Sequence, residues 1–322
     1  MAWTAVSAAG SDGANEDLVA VRVHGGTTDI LVLDGATSVA GRNYVDTDGG
    51  DVAWFVHAFA AALEPHLDAY TPQDAAVAAA VDAVGTGYAR LGAAAAAPPH
   101  AWPIAALTWI RIQQDQARLF CLGDCKTLLR LADGTVRDLD PWINPQEAVL
   151  QRVLAALPAD PAERQARLLP LLRARREEQS LAAAPSVLCL RPAGPFAARR
   201  IALQLAPGAC LLGMTDGFYR LADPYAMYTP AALFDACLAR GLDAMLAELR
   251  TAERGGGAAG LSVKAADDAS AVLWSASPTI SHNPKEHAWT TRPQGRDRTL
   301  PGRLQCLRHR RHAGRADARR AF

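Results

Sequence analysis

The chain has 322 residues; 50% are hydrophobic and 20% charged, a globular composition with ample material for a core. Thirty-three basic residues balance thirty-three acidic ones, which excludes a protein that covers nucleic-acid phosphates with its whole surface. The zero net charge hides a split: from Lys285 onward eleven basic residues outnumber three acidic ones, so the tail carries +8 and residues 1–284 carry −8.

In chain order, strand-like runs come first: Trp3 to Ser7, Leu18 to Val23 and Asp29 to Leu33, with His24-Gly25-Gly26-Thr27 as a hairpin turn. Helical spacing follows over Asp51 to Leu67, with Asp51 as its cap, and from Thr71-Pro72 to about Leu91. Strands return at Ile104 to Gln113, Gln116 to Leu122, Lys126 to Leu131 and, after the Asp133-Gly134 turn, Thr135 to Leu139. A helical insert spans Pro145 to Gln179 and carries Arg173, Arg175 and Arg176. Beyond it lie strands at Ser186 to Leu190, Arg200 to Leu205 and Ala209 to Met214. Helices over Pro230 to Ala239 and Leu242 to Glu253 and a last strand, Ala269 to Trp274, complete the set.

Strands in runs and helices in pairs predict an α+β fold with antiparallel sheets, since a parallel sheet needs strict strand–helix alternation. One domain is expected over 1–276. Residues 277–322 lose apolar periodicity and are rich in Ser, Pro, His and Arg, so a disordered basic tail is expected there. Nucleic acid is not an expected partner except through that tail, where Arg308, Arg310 and Arg311 are the residues to test. Six cysteines run from Cys121 to Cys306 without a CxxC pair, which excludes a zinc ribbon and predicts reduced, buried thiols. No basic segment leads into an apolar run at the start, and no uninterrupted apolar run reaches the ~18 residues of a membrane span. A cytoplasmic protein without membrane contact is therefore expected.

Chemistry concentrates at five acidic corners. Ile30 to Leu33 runs into Asp34-Gly35, Leu119 to Leu122 into Gly123-Asp124, and Cys210 to Met214 into Thr215-Asp216-Gly217. Asn15-Glu16-Asp17 precedes one strand, and Asp267-Asp268 precedes another. In antiparallel sheets the end of one strand and the start of its neighbour share an edge, so the five corners can converge. One Asp-Gly after a strand is an ordinary turn. Five that converge would repel unless a cation sits among them, and all-oxygen ligands favour Mg²⁺ or Mn²⁺. An Asp nucleophile of the Asp-x-Asp-Gly-Thr type is excluded because its first position is Val32.

The ordered set Asn15-Glu16-Asp17, Asp34-Gly35, Gly123-Asp124, Thr215-Asp216-Gly217 and Asp267-Asp268-Ala269-Ser270 resembles the metal-dependent Ser/Thr protein phosphatases of type 2C, in particular their compact bacterial members. The resemblance runs from about Thr4 to Trp274. It implies a four-layer α-β-β-α sandwich of two antiparallel sheets flanked by helices. It also implies hydrolysis of phosphoserine and phosphothreonine on proteins by a water activated between two Mn²⁺ or Mg²⁺ ions, with no covalent intermediate. Asp34 would bridge the ions, the Gly35 carbonyl would bind one, and Asp17 or Glu16 would complete one side. Asp216 and Asp267 would complete the other, and Asp124 would join Asp216 around a third ion. A phosphoprotein substrate and a cognate Ser/Thr kinase are the partners implied.

Two positions depart from the family pattern. The Arg that binds the substrate phosphate in many active members is replaced by Asp12, and the His that follows Asp-Gly in the eukaryotic members, taken as the general acid, is replaced by Ala36, followed by Thr37 and Ser38. Arg42, Arg22 and the Arg173/Arg176 group are candidate replacements for the Arg; His57 and His24 are the nearest histidines. These departures favour the alternative reading, a weak or inactive phosphatase-fold regulator that binds a kinase or phosphoprotein. Inserts near the active edge often set substrate choice in this family, so the insert's Arg-rich end would receive acidic phosphopeptides; the plainer alternative is a solvated helix face.

Overall fold

The computed structural model describes residues 1–11, 13–91, 96–144, 160–255 and 265–276, isolated positions between 149 and 157, and the backbone of 305–306. Among the described residues twelve strands form two antiparallel sheets. They are β1 (Ala2–Ala8), β2 (Leu18–His24), β3 (Thr27–Gly35), β4 (Ile104–Gln113), β5 (Gln116–Leu122), β6 (Lys126–Arg130), β7 (Val136–Asp138), β8 (Leu188–Cys189), β9 (Arg199–Gln204), β10 (Cys210–Met214), β11 (Ala269–Ser275) and β12 (Gln305–Cys306). One sheet runs β1-β11-β10-β6-β7; the other runs β12-β2-β3-β4-β5-β9, with β8 beside β4. The helices are α1 (Asp51–Leu63), α2 (Gln73–Ala89), α3 (Pro161–Leu181), the single turn α4 (Asp216–Tyr219), α5 (Pro230–Arg240) and α6 (Leu242–Arg254).

Both faces of both sheets are buried, and this explains why the central strands read as almost unbroken apolar runs. Along β2, Leu18 and Ala20 point to one side and pack with Phe55, Phe59 and Val77 of α1 and α2. Val19 and Val21 point the other way, into the space between the sheets, with Ile110, Leu119, Leu211 and Val272. On the outer face of the first sheet, Leu128, Leu212 and Met214 pack on Phe234, Met245 and Leu249 of α5 and α6. The layers are therefore helix, sheet, sheet, helix, as expected.

Local details differ where tertiary contacts override the sequence signal. Gly50, not Asp51, caps α1; the Asp51 carboxylate instead accepts the backbone N–H groups of Tyr44, Val45 and Asp46 and ties the preceding loop to the helix. The strand expected over Ser186 to Leu190 shrinks to two residues. Of the expected insert, α3 is described from Pro161; most of 145–159 lies outside the described residues. Of the tail, only Gln305 and Cys306 are described, paired with Val21 and Ala20 on the edge of β2. Cys121, Cys125, Cys189, Cys210 and Cys237 are free thiols, buried except the half-buried Cys210. Among the described residues no helix is long and apolar enough to cross a membrane.

Ile110 is fully buried in the layer between the sheets. Ile110→Ala should lower stability by about 2–5 kcal/mol, from lost transfer energy plus an unfilled cavity; a urea titration of both proteins measures it.

Candidate metal centre

The register brings the acidic corners to one edge. Leu18 of β2 pairs with Leu33 of β3, which sets Asp17 beside Asp34. On β4, Asp34 lies opposite Ala106 and Gly35 opposite Ala105, so small residues flank this end of the sheet. Asp124 follows β5, Asp216 follows β10, and Asp267 and Asp268 precede β11 at the same edge of the other sheet.

Hydrogen bonds stitch the two sheets together here. The Thr215 hydroxyl, fully buried, donates to Asp17 Oδ2 at 2.8 Å and accepts the Ser270 N–H at 3.0 Å. The Asp216 N–H donates to Asp34 Oδ2 at 3.3 Å. Asp268 accepts from the backbone N–H of Gly10 at 2.8 Å and of Glu16 at 2.5 Å, so its carboxylate clamps the loop that carries Glu16 and Asp17. Two glycines permit this closeness. A Cβ on Gly35 would lie 2.5 Å from the Glu16 carbonyl oxygen, and one on Gly217 would overlap the carbonyl of Asp268.

The electrostatics follow from the crowding. Burial, then repulsion from Asp216, Asp17, Asp124 and Asp267, lifts the Asp34 carboxyl well above the usual range. Burial does the same to Asp17, opposed by the Thr215 hydroxyl and reinforced by Asp268 and Asp216. Asp216 keeps an open side to solvent but is otherwise surrounded by protein. That desolvation, with Asp124 and Asp267 adding repulsion, lifts it to about 7, while a hydrogen bond with Asp34 and the Arg220 charge pull the other way. Beneath the cluster the Cys125 thiol is pushed up by burial and by the same carboxylates, so it stays protonated and is no nucleophile.

Asp17, Asp34, Asp124, Asp216 and Asp267 thus interact electrostatically at one edge, with Glu16 and the Gly35 backbone on its rim. Their chemistry fits a hard divalent cation: all donors are oxygen, and burial with the mutual repulsion of the carboxylates raises Asp17, Asp34 and Asp216. Yet among the described residues no group of three or more His, Cys, Asp or Glu side chains is drawn together closely enough to hold a metal ion as it stands. Moreover, Asp267 is already engaged, its Oδ2 2.6 Å from Arg220 Nη2.

The expected replacement cations separate clearly. Arg22 donates to the carbonyls of Glu64 and Leu67, and Arg42 stacks over Tyr44. Arg176 of α3 comes to the edge: it is buried, donates to the Ala36 and Thr37 carbonyls at 3.3 and 3.1 Å, and is drawn by Glu16. Burial lowers its pKa to about 10, which still leaves it charged. Arg173, one turn earlier, donates to Val39 at 2.8 Å, so α3 grips the loop that follows Gly35. His24 sits at the opposite end of β2 from Asp17, and His57 is exposed on α1; neither joins the cluster. Asp12 lies outside the described residues.

Sequence reasoning gave no role to Thr215, Asp268 or Arg220. Thr215 and Asp268 were visible inside the motifs as polar residues beside buried strands. Arg220, four residues after Asp216, carried the ordinary signal of a helix-face charge. A cavity of about 290 Å³ lined by Tyr70, Gln73, Arg111, Arg118 and Arg200 lies away from this edge: Arg111 pairs with Asp29, five residues from Asp34 along β3.

A profile of the family described as protein phosphatase 2C matches residues 6–250, and the chain belongs to that family. Comparison with curated protein sequences finds no match. Among solved structures, a serine/threonine phosphatase of S. agalactiae is similar at 13% identity over 85% of this chain and 98% of that one, with a TM-score of 0.50. The Mycobacterium tuberculosis phosphatase PstP/Ppp is similar at 17% over 84% and 97%, TM-score 0.49. A PstP catalytic domain in complex with two manganese ions is similar at 18% over 84% and 96%, TM-score 0.48. At 13% identity the likeness to the S. agalactiae protein bears on the fold alone.

The folded chain binds protons on Asp17, Asp34 and Asp216 at pH values where the unfolded chain has released them. Unfolding then releases protons, so stability falls as pH rises from about 4, the ordinary Asp value, through the raised values. In EDTA the thermal midpoint should be higher at pH 5 than at pH 8, with a shallower dependence in Asp216→Asn. Gly217→Ala should push the Asp267–Asp268 loop outward and lower stability by about 1–3 kcal/mol, read by chemical denaturation.

Proposed function

We propose that the chain hydrolyses phosphoserine and phosphothreonine esters on proteins with the help of Mn²⁺ or Mg²⁺, and that residues 1–276 carry this activity. The observation that carries the reading is the convergence of Asp17, Asp34 and Asp216, all held above their ordinary pKa, at one edge of a phosphatase 2C fold. Such a cluster favours a divalent cation over protons at neutral pH.

Asp34, Asp216, Asp17 and the Gly35 carbonyl would hold the first cation, with Asp267, Asp124 and Glu16 available to a second or third. A cation held by these residues would supply Lewis acidity toward an attacking water and the phosphoryl oxygens. The chain's own residues do the rest. Thr215 fixes which oxygen of Asp17 faces the edge. Asp268 holds the Glu16 backbone, and Arg176 and Arg173 hold the loop after Gly35, so the rim of the site keeps its shape. Arg176 also places a positive charge beside Glu16, in a chain that has Asp12 at the sequence position of the family's phosphate-binding Arg. With Ala36 where a His is usual and the Cys125 thiol held protonated, neither supplies a proton to the leaving alkoxide or a thiolate nucleophile. Loss of a general acid costs roughly 10²–10⁴-fold, so a slow enzyme is expected. The second reading, a regulator that binds a kinase or phosphoprotein without turnover, is favoured by Arg220, which already compensates Asp267.

Hydrolysis of p-nitrophenyl phosphate and of a phosphothreonine peptide, with Mn²⁺, Mg²⁺ or EDTA, separates the two. The phosphatase reading expects metal-dependent turnover that EDTA abolishes and that Asp34→Asn and Asp216→Asn each lower by about 10²-fold or more. Folded protein that binds Mn²⁺ but turns over neither substrate would leave the regulator as the better account.

A further inference from the structure

We propose that Arg220 is a resident counter-cation of the acidic edge, which occupies the Asp267 corner and makes it the weaker cation position. This rests on the reading that the acidic edge binds divalent cations, and it assigns unequal strength to its two sides.

Arg220 belongs to the same short element as Asp216. Its N–H closes the turn on the Asp216 carbonyl at 3.0 Å, and its own carbonyl accepts the Tyr225 N–H at 3.0 Å, so the backbone that carries it is fixed. Its side chain is 8% exposed and reaches Asp267 Oδ2 at 2.6 Å, with Glu253 Oε1 at 3.8 Å. The second oxygen of Asp267 accepts the Asp268 N–H at 3.1 Å. Asp267 therefore has both oxygens engaged and its charge matched within the protein.

The pair is held from behind. Arg250 bonds Glu253 at 2.7 Å, the Asp267 carbonyl at 2.7 Å and the Ala8 carbonyl at 2.9 Å. Two arginines and two carboxylates thus alternate across a largely buried patch in which every charge has an opposite neighbour. For Asp17 and Asp34, by contrast, the strongest influences besides burial are the Thr215 and Ser270 hydroxyls on Asp17 and neighbouring carboxylates on both. A cation arriving at Asp34 meets uncompensated negative charge. One arriving at Asp267 must displace a guanidinium or share its carboxylate, and it is repelled by that guanidinium across a few ångströms of protein.

The proposal predicts that removing the Arg220 charge strengthens cation binding at this corner, whereas an ordinary structural ion pair would leave cation binding unchanged or weaken it. The test is Mn²⁺ titration of the full chain by isothermal calorimetry, with bound ions counted from the electron paramagnetic resonance signal of free Mn²⁺. Wild type, Arg220→Gln and Arg220→Lys are compared. Because Arg220→Gln leaves two buried carboxylates short of a partner, the charge-balanced double variant Arg220→Gln/Glu253→Gln is measured beside it, each fold checked by circular dichroism. The expected result is one additional Mn²⁺, or a weaker site tightened by about tenfold or more, in both Gln variants, with Arg220→Lys close to wild type. Mn²⁺ uptake by the Gln variants alone also supports it. Equal stoichiometry and affinity in wild type and the Gln variants overturns the proposal while leaving the acidic edge a cation site. No Mn²⁺ uptake by any of them overturns both.

Discussion

Mutual repulsion among carboxylates at one edge of the sandwich is the constraint on which the rest of this structure depends. Asp17, Asp34 and Asp216 are brought together where water is scarce, and each would be easier to hold apart. The surrounding architecture opposes that tendency. The Thr215 hydroxyl joins β10, β11 and Asp17; Asp268 clamps the loop before β2; glycines at 35 and 217 let backbones approach where a methyl would not fit. These are hydrogen bonds between groups that the two sheets present to each other, so the acidic edge and the packing of the sheets are one arrangement.

The positive charges around that edge have different standing. Arg220 meets an acidic residue of the cluster directly. Arg176 meets backbone carbonyls of the next loop and lies within the field of Glu16. Arg199 forms a bidentate pair with the buried Asp140 and donates to the Gly123 carbonyl, which fixes the turn that carries Asp124. Each arginine acts from a different place in the chain: Arg220 at the end of α4, Arg176 in α3 and Arg199 in β9. In a body with a net charge of −8, the basic residues nearest the chemistry are used to hold its loops in place.

Much of the fold was legible because apolar pattern and turn residues are local signals. The runs at Leu18–His24, Thr27–Gly35 and Ile104–Gln113 form strands within two residues of where periodicity puts them, and Gly25 and Gly26 make the hairpin with positive φ. Asp51 was misread because its partners, the N–H groups of residues 44 to 46, precede it, whereas a capping carboxylate serves N–H groups that follow it. Convergence of the acidic corners was also legible, since antiparallel order fixes which strand ends meet. The choice among Arg22, Arg42 and Arg176 was not. Nothing in the local sequence separates them, and only the docking of α3 on the loop after Gly35 brings Arg176 to the edge.

The sequence by itself determined most strand and helix segments, the α+β class with antiparallel sheets and the acidic corners at strand ends, because alternation and turns are properties of neighbouring residues; the four-layer arrangement came from the resemblance of the ordered motifs. Tertiary structure alone decided how those acids are compensated. The ion pair of Arg220 with Asp267 spans 47 residues, the bond of Thr215 to Asp17 spans 198, and that of Arg176 to Ala36 spans 140. Such contacts depend on the orientation of side chains after the sheets have packed, and packing is a cooperative outcome of the whole core rather than of any segment.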